Sequence, residues 1–147
     1  MTLGEIRRGP DEWLGKVLGL PKEGENSVAP FSVRAMAFAL DLVASALVGA
    51  LITAQVQHPS DATRQLIPFG VLLVEHVITV ALIGQTFGMR MMSLKVLRLK
   101  DPSVVPGFLT ALIRSVALLL SVGLTGFFTS QGRGLHDLAA GSVVVRA

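Results

Sequence analysis

Apolar positions in this chain come in long blocks instead of alternating with polar ones. The blocks run approximately from Val33 to Ala54, Ile67 to Phe87 and Gly107 to Thr129. Each is about 20 residues long, the length a helix needs to cross a hydrocarbon core of about 30 Å. A soluble domain would interleave polar and apolar residues along its elements. The pattern predicts an all-α membrane protein with three hydrophobic helical segments over residues 31–147, preceded by an N-terminal region, residues 1–30.

Within that N-terminal region, Pro10-Asp11-Glu12-Trp13 reads as a helix start, with Pro in the first turn and acids near the positive dipole end. Trp13 and Val17, then Leu14 and Leu18, recur four apart before Gly19-Leu20-Pro21 stops the segment. This predicts a short amphipathic helix, lying either on the membrane surface with Trp13 at headgroup depth or against a partner protein. Lys22 to Pro30 reads as a polar linker. Pro68 falls near the start of the second block, where a first-turn position would tolerate it.

Two runs look like strands, Met92 to Lys100 and Ser142 to Arg146. If they pair, they lie on one side of the membrane. Three straight crossings would separate them. The third block therefore either spans or breaks near Ser121-Val122-Gly123 into a re-entrant hairpin, and Arg133 and Arg146 in the tail favour the hairpin.

Composition narrows the function classes. There is no cysteine, so neither disulfides nor a thiolate metal site is available. Residues 1–24 carry acids and bases throughout, unlike a cleavable signal. The net charge of +3 would suit nucleic acid, but Arg90, Lys95, Arg98 and Lys100 cluster just after the second block, as expected of a cytoplasmic loop. With one Trp, no Tyr and no basic run interleaved with aromatics, nucleic-acid binding is not expected. The expected setting is the cytoplasmic membrane, with the N-terminus cytoplasmic and the loop from Gln55 to Gln65 outside.

The chemistry concentrates in five ionisable residues inside the blocks: Arg34, Asp41, Glu75, His76 and Arg114. An unpaired charge at a membrane helix centre costs roughly 2.5–3.5 kcal/mol on insertion scales, so such groups find partners or water. Arg34 and Asp41 fall within about 20° of one helix face but about 10 Å apart along the axis. Arg34 either reaches inward to Asp41 or snorkels to the interface. Glu75, Thr79 and Thr86 are predicted to share a face, and His76 serves as interhelical glue or as part of a proton or cation pathway. Arg114 is the expected cationic partner of Asp41 or Glu75, completing a polar seam. His58, His76 and His136 are scattered, so no metal site and no cofactor are expected. No nucleophile constellation or phosphate loop emerges, which argues against an enzyme. Gly84 and Gly88 fit a small-xxx-small helix contact.

These residues resemble the RDD family of small bacterial membrane proteins, named for an Arg at the start of the first span and two Asp residues. Ser32-Val33-Arg34-Ala35-Met36-Ala37-Phe38-Ala39-Leu40-Asp41 is similar to its first signature. Gly84-Gln85-Thr86-Phe87-Gly88-Met89-Arg90 resembles the Gly-rich second, departing at Phe87, commonly Pro, and Met89, commonly Lys. Ala111-Leu112-Ile113-Arg114 and the stretch from Gly134 through His136 and Asp137 to Val145 resemble the remaining two, with Asp137 as the second Asp. The resemblance implies a bacterial inner-membrane protein; some members are linked to sodium–proton exchange and others accompany larger membrane systems.

Two functions follow as expectations. Three short elements enclose a permeation path poorly, while small-residue helix faces favour lateral contact, so an accessory or assembly subunit of a larger membrane complex is the first. The second is a homo-oligomeric cation (sodium)/proton antiporter using the midplane acids. Its partners are the bilayer and other membrane subunits or further copies of itself.

Overall fold

The computed structural model describes residues 13–120 and 135–147. The predicted helix start at Pro10–Glu12, the break near Ser121–Gly123 and Arg133 lie outside the described residues. Two long helices dominate, α1 (Phe31–Ala54) and α2 (Asp61–Ile83). After them come α3 (Phe87–Met91), β1 (Leu94–Arg98), α4 (Phe108–Leu120), α5 (Leu135–Ala140) and β2 (Ser142–Arg146).

Helix α1 turns one stripe inward, with Ala37, Asp41, Ser45 and Gly49 buried at successive i,i+4 positions. Much of the rest of α1 and the uncovered side of α2 is apolar and outward-facing, including Leu47, Leu51, Leu66 and Leu82. Only 22% of the hydrophobic window of α1 and 28% of that of α2 is buried within the chain. A core helix of a soluble protein would be covered by its own fold. Here the exposed surface matches what lipid covers.

Helix α2 begins earlier than its hydrophobic block, because Ser60 caps it by accepting from the Thr63 N–H at 3.1 Å. Pro68 consequently lies inside the helix and not in its first turn, correcting the expectation. It packs on α1, where a Cβ on Gly49 would come within 2.9 Å of Pro68 Cα. Such proline positions are tolerated when a neighbouring membrane helix covers them.

Strands β1 and β2 pair antiparallel with Leu94 opposite Arg146 and Arg98 opposite Ser142. The linker closes on the other edge of β2: Ala29 N–H donates to Val144 O at 3.0 Å and Arg146 N–H to Ser27 O at 2.9 Å. Residues 142–145 are therefore buried from both sides. One apolar cluster joins Val96 and Val144 to Ala37, Val80, Met89 and Ala111, tying the sheet to the helices. A second joins Val28, Leu97, Val143 and Val145 to Leu14, Leu18 and Leu20.

That second cluster revises the N-terminal helix. Its described part is a single 3-10 turn, Lys16–Leu18, between left-handed Gly15 and Gly19. Leu14 and Leu18 pack on the sheet, and the half-buried Trp13 donates from Nε1 to Leu20 O at 2.9 Å with Lys16 above its ring. Leu14, Leu18 and Leu20 are thus used within the chain itself, while Val17 stays exposed. Arg90 and Lys100 are exposed at the sheet end, Arg98 is partly exposed, and Lys95 meets Glu25 at 3.1 Å.

Candidate functional site

Gly84 ends α2 in the left-handed conformation, which turns the chain back so that α3 lies against α1. Thr86 caps α3 by accepting from Met89 N–H at 3.2 Å. Gly88 is where the two helices touch: a Cβ there would stand 1.9 Å from Ala37 O and 3.0 Å from Asp41 Cγ. Only glycine admits that approach. The two glycines are thus a cap and a contact with α1, not one helical small-xxx-small face.

The approach satisfies Asp41. Its Oδ1 accepts from Gly88 N–H at 2.5 Å and its Oδ2 from the Thr86 hydroxyl at 2.6 Å. Thr86 therefore serves Asp41 and does not continue the Glu75 face, because the α2 helix has already ended. Asp41 is 2% exposed, yet among the described residues no guanidinium bonds to it. The nearest cationic candidate is His76, whose Nε2 lies 3.7 Å from Asp41 Oδ2.

His76 is equally constrained. Its Nδ1 sits 3.0 Å from Leu72 O and 2.9 Å from Glu75 Oε2. Both neighbours are acceptors, so Nδ1 carries the proton, and Nε2 is the nitrogen turned toward Asp41. The Phe38 ring meets His76 edge-on at 6.2 Å. Glu75 is held through Oε1 by the Phe87 N–H at 2.9 Å. One ligand atom from each of Asp41, Glu75 and His76 lies within 4.8 Å of the others. Of the three scattered histidines, His76 is the one that two helices bring beside two carboxylates.

The arginines go elsewhere. Asp137, 0% exposed on α5, accepts from Arg34 Nη2 at 2.5 Å and from Arg114 Nε at 3.2 Å. Neither Arg34 with Asp41 nor Arg114 with Asp41 or Glu75 forms the predicted pair. Asp137 lies far along the chain and outside the hydrophobic blocks, so periodicity could not nominate it as the shared anion. The family signature singled it out without saying what it binds.

His136 flanks this second cluster. Burial pushes its imidazole down to about 4, with Asp137 pulling the other way. At neutral pH it is uncharged, and its Nε2 approach of 3.5 Å to Asp137 Oδ1 is a polar contact instead of an ion pair. A cavity of about 130 Å³ joins the two clusters, lined by Arg34, Phe38, Asp41, His76, Arg114 and His136 among others.

The geometry can be set beside known proteins. No curated protein and no solved structure matches this chain. The RDD family matches over residues 28–141, which include Arg34, Asp41, Arg114 and Asp137 and cover most of the chain. With two long apolar helices whose outer faces are uncovered, this is a small membrane protein, and it belongs to the RDD family.

Proposed function

We propose that the chain exchanges a cation against protons across the cytoplasmic membrane of a bacterium, working as a homo-oligomer. The observation that carries this reading is Asp41: a carboxylate buried midway along a membrane helix, bonded by Thr86 and Gly88 and by no arginine among the described residues, and bordering a cavity with His76. Coupled transporters place ion sites at that depth, beside broken backbone of the kind Gly84 to Gly88 supplies. Lys95, Arg98 and Arg146 gather at the sheet end, which favours a cytoplasmic sheet and N-terminus by the positive-inside bias. Because β1 and β2 pair, the chain between them begins and ends on that same side.

The test is purified protein in sealed vesicles loaded with a pH-sensitive dye, challenged with sodium and then with divalent cation gradients. Proton flux that disappears in Asp41→Asn is the expected result. Flux no greater than in empty vesicles overturns the proposal.

One observation favours the accessory-subunit reading. Ala35, Ala39, Ala46 and Ala50 lie within about 60° on α1, all exposed, and small residues permit close helix approach. Cross-linking in native membranes with mass spectrometry distinguishes the readings: recovered foreign subunits support it, and self-contacts alone count against it.

A further inference from the structure

We propose that Asp41, Glu75 and His76 form a binding site for a divalent transition-metal cation of the zinc class. The proposal rests on the cation-exchange reading above and names the cation.

Each of the three side chains is held in place by hydrogen bonds that leave ligand capacity free. Asp41 is fixed by Thr86 and Gly88, Glu75 by the Phe87 N–H on Oε1, and His76 by Nδ1–H to Leu72 O. Metal-binding histidines are oriented in this manner, with the second ring nitrogen donating to a carbonyl or carboxylate. The candidate ligand atoms lie close together, with Glu75 Oε2 buried 2.9 Å from His76 Nδ1, whose proton goes to Leu72 O.

His76 supplies an independent pointer. Its ring is 2% exposed, and its Nε2 has no hydrogen-bond acceptor in reach among the described residues. The nearest, Asp41 Oδ2, stands 3.7 Å away, too far for a hydrogen bond. An ion bonded to both atoms at about 2.0–2.2 Å would subtend roughly 120°, within the range of a zinc-type centre. The cavity beside His76 and Asp41 has room for water to complete the coordination.

Charge and donor type select the ion. Arg34 and Arg114 bond Asp137, and among the described residues no guanidinium bonds either carboxylate of the cluster. A divalent ion would neutralise both. Sodium, magnesium and calcium prefer sites made wholly of oxygen, whereas an imidazole nitrogen suits zinc, iron, cobalt or nickel.

The test uses tag-free, full-length protein in nanodiscs of uncharged lipid, titrated with Co²⁺ and followed by its visible absorption and by equilibrium dialysis. The expected result is one saturable Co²⁺ per chain with a nitrogen-ligated spectrum. His76→Gln should remove that spectrum. Phe87→Pro retains every ligand, suits the first position of α3, and releases Glu75; it should weaken binding about tenfold or more. Thermal melts of both variants establish that they fold. Absence of saturable binding to the wild type overturns the site, as does binding unchanged in both variants. The two proposals separate cleanly: sodium-driven flux without Co²⁺ binding removes the metal site alone, and Co²⁺ binding without any flux removes the exchange function alone.

Discussion

Arg34 bonds Asp137, 103 residues further along the chain, and passes over Asp41 on its own helix face. The intrahelical pair fails on reach: the axial gap of about 10 Å exceeds what the side chain spans without a mediator. Asp41 is already bonded by Thr86 and Gly88, and Asp137 takes both arginines. Buried cation and anion are matched between elements, not within one.

Asp137→Asn should therefore be severe, because Asp137 bonds two buried guanidinium groups at once. Removing one partner of a buried pair costs about 3–5 kcal/mol, measurable as a lowered midpoint in detergent unfolding. A double-mutant cycle on Arg34 and Asp137 should show coupling of about 0.5–3 kcal/mol, whereas the Arg34 and Asp41 cycle should be close to additive. The reverse pattern would contradict the pairing.

Gly88→Ala places a methyl group against Ala37 O and must push α3 off α1. Overpacking of this kind costs about 1–3 kcal/mol. It also breaks the bond that Asp41 accepts from the Gly88 N–H. Thr86→Val keeps the shape but removes a hydroxyl donor to a carboxylate, at about 1.5–3 kcal/mol. Unfolding midpoints for the two variants, taken together, measure how far α3 secures Asp41.

Acid should destabilise the protein through His136. Its folded-state value of about 4 lies below the ordinary 6.5, so between those values the unfolded chain binds more protons than the folded one. Stability consequently rises with pH across that window and is lost as pH falls through it. Melting temperatures from pH 7 down to 4 should decline, and His136→Asn should flatten that part of the profile. An unchanged slope in the variant would assign the loss to other groups.

The exposed pair of Lys95 and Glu25 should matter little. Glu25 is mostly solvated in this pair, and such bridges contribute about 0–1 kcal/mol. Lys95→Gln should leave the unfolding midpoint nearly unchanged while reducing the positive charge at the sheet end. Insertion orientation, read by protease protection, is the measurement sensitive to that charge.

Much of this architecture is legible in one dimension. The hydrophobic blocks announce α1 and α2, the two β-type runs announce β1 and β2, and their pairing requires a chain that returns to one side. The ordered signatures, from Arg34 to Asp137, identify the family. Periodicity makes Leu14 and Leu18 one helical face because it sees neither the sheet that takes them nor the left-handed Gly15 between them.

The partners of the buried charges were not legible. Hydrophobicity along a chain determines which segments leave water, since that is a property each residue contributes locally. Which carboxylate answers which arginine depends on distances between elements, and those follow from contacts such as Gly88 against Ala37 and α5 against α4. The sequence by itself determined the long apolar helices and the presence of ionic groups inside them. Only the tertiary structure decided that Asp137 would hold both Arg34 and Arg114, and that Asp41, Glu75 and His76 would group apart from that pair.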